Sequence, residues 1–388
     1  MKKIVALVLA LALCLTAAVS LADGIAKEDI KIGVILLHDE DSGYDLNFIN
    51  AVKRAQEKLG LSDDQVIIER NVDESNDCYE KAVELADEGC AFVFSDSYGH
   101  SSFMREAAKA RPNCDFISAT GDTAMADGIA NFHNAFSAIY QGRYLAGIAA
   151  GMKLNEMKAA GKLKGEVPTM GYVSAFSYAE MISGYTSFYL GAKSVCPDVV
   201  MKVIQSGEWL HYDKEYNCAK SLIAAGCDLI SEHADSLGAP TACEEAGVVN
   251  VAYNGSTIEE CPNTFLVASL IEWSAFFEYA VNQKVAGEAI VTDWAGDLAS
   301  GCVQLTAINE AVAAEGTAAA IEEAKAKLIS GELHVFDTST FTVEGKTLTT
   351  FTVDGKEVVS DGYFHESEVK SAPYFNLTVD GIEMLVNN

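Results

Sequence analysis

A β-strand, an acidic loop and an amphipathic helix are encoded twice in this chain, as KIGVILLHDEDSGYDLNFINAVK at residues 31–53 and as TMGYVSAFSYAEMISGYTSFYLGAK at residues 169–193. The internal similarity extends further along the chain, where GCAFVFSDS at residues 89–97 resembles GCDLISEHADS at residues 226–236. The two offsets, 138 and 137 residues, are too long for a solenoid and indicate two copies of one α/β lobe. Since ligands of open α/β sheets bind beyond the carboxyl ends of the strands, we expect a binding cleft between the lobes.

Short β-rich runs alternate with helical segments, which is typical of parallel sheets built from right-handed βαβ units. Strands are predicted at residues 31–37, 65–70, 90–95, 115–119, 130–135, 168–174, 199–205, 227–231, 248–253 and 264–269. Helices are predicted at residues 45–59, 76–88, 101–110, 138–157, 179–194, 213–225, 238–246, 272–286 and 315–330.

The two lobes are not expected to be simply consecutive, because a further helix and a strand near residues 301–305 follow the second copy. That late strand is predicted to join the first lobe's sheet. The expected N-terminal lobe is residues 23–136 with 269–312, and the expected C-terminal lobe is residues 137–268 with 313–388. Turn signals in the Thr- and Gly-rich tail predict one hairpin, formed by residues 333–343 and 347–359, followed by a wrap over residues 363–386.

The N-terminus has the features of a secretory signal peptide over residues 1–22: two lysines, an apolar run and Ser20-Leu21-Ala22 as a cleavage site. A lipid anchor at Cys14 is the alternative, although Leu13 is bulky for a lipobox. We therefore expect export across the inner membrane to the periplasm or the cell surface. Loss of the two lysines changes the net charge from −29 to −31, which argues against nucleic acid and anionic lipid as partners.

Nine cysteines remain beyond Cys14, and none forms a C-x-x-C pair. Buried thiols are the preferred interpretation, with one or two disulfides as the alternative. The acidic run between Asp39 and Asp45 departs from a calcium loop at several positions. The histidines that follow predicted strands lack metal-ligand spacing. No metal and no cofactor is predicted.

Several segments resemble the basic-membrane-protein family of extracytoplasmic solute-binding proteins, which serve ABC importers and whose best-known type binds purine nucleosides. They are AIYQGRYLAGIAAG at residues 138–151, GYVSAF at 171–176, GAKSVCPDVVMKV at 191–203, EHADSLGAPTACEEAGV at 232–248, GELHVF at 331–336 and VDGIEML at 379–385. The resemblance implies a type I periplasmic-binding-protein fold, with two Rossmann-like lobes joined by three crossovers near residues 136, 268 and 305. It also implies a monomeric, non-enzymatic protein that closes on its ligand and docks to a membrane permease.

In that family a purine lies between two aromatic rings, one from each lobe. The corresponding positions here are Tyr44 and Phe176, with Asn47 able to bond a base edge, so Phe176→Ala is expected to weaken purine binding by about 1–3 kcal/mol. Other ligand-binding candidates follow strands or lie at hinges: Tyr98, Asp122, Glu180, Trp209, Asp235, Ser236, Asn254 and Trp273. Asn254 stands where the family's nucleoside receptors have an aspartate, and no lysine for ribose is evident at residues 265–275. A free nucleobase, or a nucleoside held differently, is therefore expected.

Three alternatives remain open from the sequence. The same fold could bind a sugar or a signalling molecule, or it could act as a ligand-sensing receptor subunit. An enzyme is the third alternative. It is disfavoured because the chain has no G-x-G-x-x-G, P-loop, G-x-S-x-G or H-E-x-x-H motif.

Overall fold

The computed structural model describes residues 24–385, so the predicted signal peptide lies outside the described residues. The first run of elements alternates strands and helices: β1 (Ile32–Ile35), α1 (Gly43–Leu59), β2 (Val66–Glu69), α2 (Asn76–Asp87), β3 (Phe92–Ser95), α3 (Ser101–Ala110), β4 (Asp115–Ala119), α4 (Ala124–Asp127) and β5 (Phe132–Ser137). The second run repeats this pattern: α5 (Ile139–Ala159), β6 (Thr169–Ser174), α6 (Ala179–Val195), β7 (Val200–Gln205), α7 (Tyr212–Ala224), β8 (Leu229–His233), α8 (Gly238–Ala246), β9 (Val249–Tyr253) and β10 (Phe265–Ile271). The chain then continues through α9 (Ser274–Ala286), β11 (Asp293–Gly296), β12 (Val303–Leu305) and α10 (Thr317–Ser330).

Each run forms its own sheet. The first sheet has the order β2-β1-β3-β4-β5-β11, and the second has the order β7-β6-β8-β9-β10-β12. In both sheets the first strand of the run lies between the second and third strands, and these strands pair in parallel. Strands β1 and β3 are buried along their whole length, because helices cover both faces. The duplication and the two-lobed α/β fold predicted from the sequence are confirmed.

The late strands are arranged differently from the prediction. Strand β11 joins the first sheet in parallel with β5, whereas β12, in the segment predicted for the first lobe, pairs antiparallel with β10 in the second sheet. The chain turns back at residues 297–300, so β12 runs beside the strand that carried the chain out of the second lobe. The segment predicted to return to the first lobe is residues 269–312. Of its two strands that follow β10, only β11 joins the first sheet, and β12 joins the second.

The predicted hairpin of the tail is also wrong. Of the predicted pairing between residues 333–343 and 347–359, only an isolated bridge between Val343 and Lys346 forms, and two short antiparallel pairs follow it: β13 (Thr352–Val353) with β14 (Lys356–Glu357), and β15 (Val359–Ser360) with β16 (Tyr363–Phe364). Asp354-Gly355 and Asp361-Gly362 have positive φ angles, which produce the tight turn of each pair. The wrap ends in β17 (Ile382–Met384), which extends the second sheet beside β7.

All nine cysteines of the described segment are buried, and no disulfide joins them. Burial raises the pKa of most of these thiols, for example that of Cys90 to about 11 and that of Cys227 to about 12. They therefore act as small apolar core residues rather than as reactive thiolates.

Helices α5 and α6 pack unusually closely, because glycines face each other across their interface. A Cβ atom on Gly147 would lie 2.1 Å from the carbonyl oxygen of Phe188, and one on Gly191 would lie 2.0 Å from that of Tyr144. Neither contact can be relieved by rotating a side chain, because both involve backbone oxygens. Gly147 and Gly191 thus set the separation of the two helices.

We expect Gly147→Ala to lower the free energy of unfolding by about 1–3 kcal/mol, because the helices must separate to accept the methyl group. Urea unfolding monitored by circular dichroism measures the loss. Gly165→Ala is the matched control, since a Cβ atom there has no neighbour within 4 Å. Equal stabilities of the two variants would contradict the close-packing argument.

Candidate ligand-binding cleft

A narrow chamber, with a cavity volume of about 30 Å³, lies between the lobes at the carboxyl ends of both sheets. Its first-lobe wall comes from the loops after β1, β3 and β4 and from the start of α1: Leu37, His38, Tyr44, Asp45, Asp96, Ser97, Tyr98 and Thr120. Its second-lobe wall is formed by Glu180, Trp209, His233, Asp235 and Tyr253. This is the position that the duplicated α/β pattern predicts for a ligand.

The two lobes are in contact around this chamber. The backbone N–H of Gly43, at the first turn of α1, donates to the carbonyl oxygen of Asp235 at 3.0 Å. The side-chain amide of Asn47 donates to the carbonyl oxygen of Ile271, which ends the crossover strand β10, at 2.8 Å. The two lobes are therefore closed on each other in the structure. The side-chain amide nitrogen of Asn47 already bonds the crossover strand β10.

Tyr44 is held in the wall by its hydroxyl group, which donates to the carbonyl oxygen of Asp96 at 2.8 Å. Its ring packs edge-on against Phe48, with centroids 4.9 Å apart. Ser42 caps the helix, because its hydroxyl oxygen accepts from the N–H of Asp45 at 3.2 Å. The cap and the two contacts together fix the orientation of the ring.

A pair of carboxyl groups, Asp45 and Asp96, lies beneath Tyr44. The N–H of His38 donates to Asp45 at 2.8 Å, and the N–H of Leu37 donates to Asp96 at 3.1 Å. Burial and the charge of Asp45 raise the pKa of Asp96 well above its usual value. Burial also acts on Asp45, but hydrogen bonds from His38, Asp96 and Ser42 hold its pKa below the usual value. The negative charge of Asp45 thus opposes ionisation of Asp96.

The second lobe presents Glu180, His233 and Tyr253 to the chamber. Nε2 of His233 lies 3.4 Å from the Glu180 carboxylate, and burial lowers the pKa of His233, so this imidazole is neutral. The His233 and Tyr253 rings pack with centroids 4.4 Å apart. The Tyr253 hydroxyl, which is buried, makes no hydrogen bond, and neither does the buried hydroxyl of Thr120 in the opposite wall. Since such groups cost about 1–3 kcal/mol when unpaired, both are positioned to bond a ligand.

Asp235 connects the chamber to a polar groove on its other side, which we define by Asn47, Ser236, Asn254 and Thr257 among its lining residues. Burial and the neighbouring Glu215 carboxylate raise the pKa of Asp235 well above its usual value, and the Asn254 amide offsets part of this shift. Asn254 has a positive φ angle of 63°, and its N–H is held by Ser269 at 3.0 Å. The Ser236 hydroxyl accepts from the N–H of Gly238, the first residue of α8, at 3.1 Å.

The predicted aromatic residues have unequal positions. Trp209 lines the chamber, whereas Phe176 lies behind it, edge-on to Trp209 at 4.9 Å and stacked on Tyr178 at 5.2 Å. The structure contradicts the predicted ligand-binding role of Trp273. This side chain is 0% exposed and stacks on Phe48 in the first-lobe core, with ring centroids 4.7 Å apart. It follows β10 directly, at the point where the chain enters the first lobe, and the crossover directs it inward.

The mouth of the chamber is bordered by Tyr98, Asp122 and Tyr178, and the tail reaches it through Ala372 and Pro373. Lys370 of the tail pairs with Asp122 at 3.3 Å. The N–H of Ser371 donates to Asp293 in β11 at 2.9 Å. The tail, whose last strand belongs to the second sheet, therefore also touches the first lobe beside the mouth.

Arg143, from the segment AIYQGRYLAGIAAG, supports the second-lobe wall from below. It is 0% exposed and donates to the Tyr172 hydroxyl, to the Ser231 hydroxyl at 3.1 Å and to the Glu232 carbonyl oxygen at 3.1 Å. Its guanidinium group lies 5.0 Å from the centre of the Tyr253 ring. The guanidinium thus holds β6, β8 and Tyr253 in register beneath the chamber.

Among the lining residues that sequence reasoning missed are Asp96, Thr120, His233 and Tyr253. Each of them ends or directly follows a strand whose position the sequence predicts closely, which is the signal that could have identified them. Thr120 also has a positive φ angle of 58°, which turns the chain back after β4. Position at a strand end was thus a better guide than residue type.

Within residues 24–385, no group of three His, Cys, Asp or Glu side chains is arranged to hold a metal ion. His100 bonds the carbonyl oxygen of Val72 at 2.8 Å, and His133 bonds Asp115 at 3.1 Å, so these two histidines have structural partners. No helix in the same range is long and apolar enough to cross a bilayer.

Comparison with known proteins gives consistent results. Residues 33–338 match the family described as ABC transporter substrate-binding protein, PnrA-like. A purine-binding protein of Brucella abortus is 28% identical over 312 residues, which are 80% of this chain and 84% of that protein. The fold resembles that of ABC transporter solute-binding proteins from Aeropyrum pernix, with a TM-score of 0.65, 17% identity and coverage of 79% and 93% of the two chains. A solute-binding protein from Conexibacter woesei gives a TM-score of 0.63 at 18% identity, with coverage of 79% and 98%.

Proposed function

This chain belongs to the PnrA-like family of ABC transporter substrate-binding proteins, and from that premise we propose that it captures a purine nucleobase or nucleoside in the interlobe chamber. The family is extracytoplasmic and non-enzymatic, and membership implies a small-molecule ligand and a permease partner in the membrane. The type I periplasmic-binding fold predicted from the sequence agrees with the solved structures of solute-binding proteins.

The observation that carries the purine proposal is the composition of the chamber walls. Aromatic side chains from both lobes, Tyr44 and Tyr98 on one side and Trp209 and Tyr253 on the other, border a space next to carboxyl and hydroxyl groups. A flat heteroaromatic ring gains from stacking on such faces, and its N–H groups and ring nitrogens can bond the polar groups at its edge. The purine-binding relative supports the same assignment.

In the proposed mechanism the ligand enters while the lobes are apart and stacks on Trp209. Closure at the crossovers brings Tyr44 onto it, and Gly43 then bonds Asp235 across the lobes. The closed form exposes matching surfaces of both lobes to the permease, which is how ligand occupancy is signalled in a hinged binding protein.

Calorimetric titration of protein stripped of ligand by unfolding and refolding tests this proposal. The panel is adenine, hypoxanthine, guanine, their three ribonucleosides, ribose and glucose. At least one purine is expected to bind with a dissociation constant below about 1 μM, and the sugars are expected not to bind. Binding of a sugar without any purine would overturn the proposal in favour of a sugar receptor.

The same titrations decide whether the ribose takes part. A nucleoside that binds at least tenfold more tightly than its base would assign the ribose to the polar groove beside Asn254. Equal affinities would restrict recognition to the base.

We also propose that the mature protein begins at Asp23 after export. Mass spectrometry of the secreted protein is expected to give that N-terminus, whereas a lipid-modified Cys14 would show that the protein is anchored.

A further inference from the structure

The charges around the chamber are of one sign. Asp45, Asp96, Glu180 and Asp235 line it, and none of its described lining residues is lysine or arginine. The nearby described cations lie outside the chamber: Arg143 is behind the Tyr253 ring, 5.0 Å from its centre, Lys370 pairs with Asp122 at the mouth, and Arg54 pairs with Glu272 along the polar groove. An anionic ligand would therefore be repelled, and it would find no cation inside the chamber to offset its lost hydration.

Two of the four carboxyl groups are available to a ligand. Asp45 and Asp96 each accept from a backbone N–H through Oδ1, and the Oδ2 atom of each is buried from solvent without a hydrogen-bond partner. Glu180 makes one long contact, 3.4 Å to His233. Asp235 uses only its backbone atoms to reach Gly43 and Trp209, which leaves its carboxyl group on the chamber side.

Two buried hydroxyl groups show independently that the chamber is built for a polar ligand. Tyr253 is 8% exposed and Thr120 is 7% exposed, and neither hydroxyl has a hydrogen-bond partner. They stand in opposite walls of the same chamber as Glu180 and Asp235. The rings of Tyr44, Trp209 and Tyr253 complete the walls.

Carboxylates together with the faces of aromatic rings are the combination that binds organic cations. We propose that the chamber selects a positively charged aromatic ligand, such as an N-alkylated or protonated purine, over its neutral counterpart, through Glu180 and Asp235. That the ligand is a purine rests on the proposed function. That the chamber prefers a positive charge rests on the residues of the chamber alone.

The protonation of the closed chamber supports this assignment. The groups that face Asp235 are the carboxyl groups of Glu215, Asp45 and Glu180, the hydroxyl groups of Tyr44 and Tyr253 and the Asn254 amide. Burial and these acidic neighbours raise the pKa of Asp235. A cation bound beside this carboxyl group would lower that pKa, so cation binding is expected to release protons and to strengthen as the pH rises.

Three adenosines with matched shapes test the charge preference. Adenosine and N6-methyladenosine are neutral at pH 7.5, whereas 1-methyladenosine, the isomer with its methyl group on ring nitrogen N1, is cationic. We expect 1-methyladenosine to bind about tenfold or more tightly than N6-methyladenosine, with proton release measurable in buffers of different ionisation enthalpy. Equal or weaker binding of the cation would overturn the inference and leave the purine proposal standing.

Charge-removing variants locate the effect. Glu180→Gln and Asp235→Asn keep the shape and the hydrogen-bonding groups, and each is expected to reduce the preference for the cation to less than about threefold. The exposed Asp198, which pairs with Lys158 on the far side of the lobe, gives the matched control Asp198→Asn, with an unchanged preference. Circular dichroism checks that the variants are folded, and an undiminished preference in both folded variants would refute the role of these carboxylates.

A non-purine pair separates the two proposals. Nicotinamide and 1-methylnicotinamide differ by a methyl group and a positive charge. If no purine binds but 1-methylnicotinamide binds more tightly than nicotinamide, the purine function falls and the charge selection stands. If no cation binds more tightly than its neutral partner, the charge selection falls.

Discussion

Trp209→Ala should weaken purine binding by about 1–3 kcal/mol, or roughly 5- to 150-fold in the dissociation constant. Trp209 is the largest aromatic side chain of the chamber wall, and Phe176 behind it holds its ring in place. Removal of the indole takes away one stacking surface and opens the wall toward the mouth, so a bound ring loses contact area and gains water. Calorimetric titration with the tightest purine of the panel measures the change.

Two further variants make this test specific. Tyr212→Ala removes an exposed aromatic ring of the same lobe, which stacks on Tyr216 outside the chamber, and it should leave the affinity unchanged. Phe176→Ala should weaken binding less than Trp209→Ala, because Phe176 acts by supporting Trp209. A larger effect at Phe176 than at Trp209 would instead favour the direct stacking role that the family resemblance predicts for Phe176.

Arg143→Ala should lower the free energy of unfolding by about 3–5 kcal/mol, because buried oxygens lose their donor and the large side chain leaves a cavity. The guanidinium is fully buried and serves Tyr172, Ser231 and Ser269 as well as the Glu232 carbonyl oxygen. Its removal leaves those oxygens without a donor and opens a cavity among the Tyr172, Phe188 and Tyr253 rings. Urea unfolding at pH 7.5 measures the loss.

The exposed Arg111 supplies the comparison for this experiment. It forms a two-point ion pair with Asp87 at the surface, at 2.6 and 2.8 Å, and Arg111→Ala should cost less than about 1 kcal/mol. If Arg143→Ala lowered the free energy of unfolding as little as Arg111→Ala, the buried guanidinium would not be the group that stabilises the second-lobe wall. Because the Tyr253 ring rests on Arg143, folded Arg143→Ala protein should also bind ligand more weakly.

Much of the fold could be predicted from the chain because its determinants are local. Alternating apolar positions defined β1, β4 and β9 to within a few residues, and helix periodicity defined α3 and α8 to the residue. The repeated strand–loop–helix segment predicted two lobes, and the general rule for parallel sheets then located the cleft at their carboxyl ends. The acidic and aromatic residues of the loop after β1 could be assigned to the cleft on that basis.

The unpredicted features depend on contacts between distant segments. Two short strands, β11 and β12, follow each other in the chain but join different sheets, because β12 pairs with β10 after a tight turn. Trp209 and Trp273 both lie near strand ends, yet one lines the chamber and the other packs in the core on Phe48. Only the direction of the chain on leaving each strand distinguishes them.

The sequence by itself determined the two-lobed α/β architecture, the family and the position of the cleft, since these follow from local periodicity, from the duplication and from recognisable segments. The tertiary structure decided which side chains meet in the cleft. The Asp45–Asp96 pair, the Glu180–His233 contact and the unpaired hydroxyls of Thr120 and Tyr253 arise only when loops from separate strands converge. That convergence is set by strand pairing and lobe closure across more than a hundred residues, which no local pattern encodes.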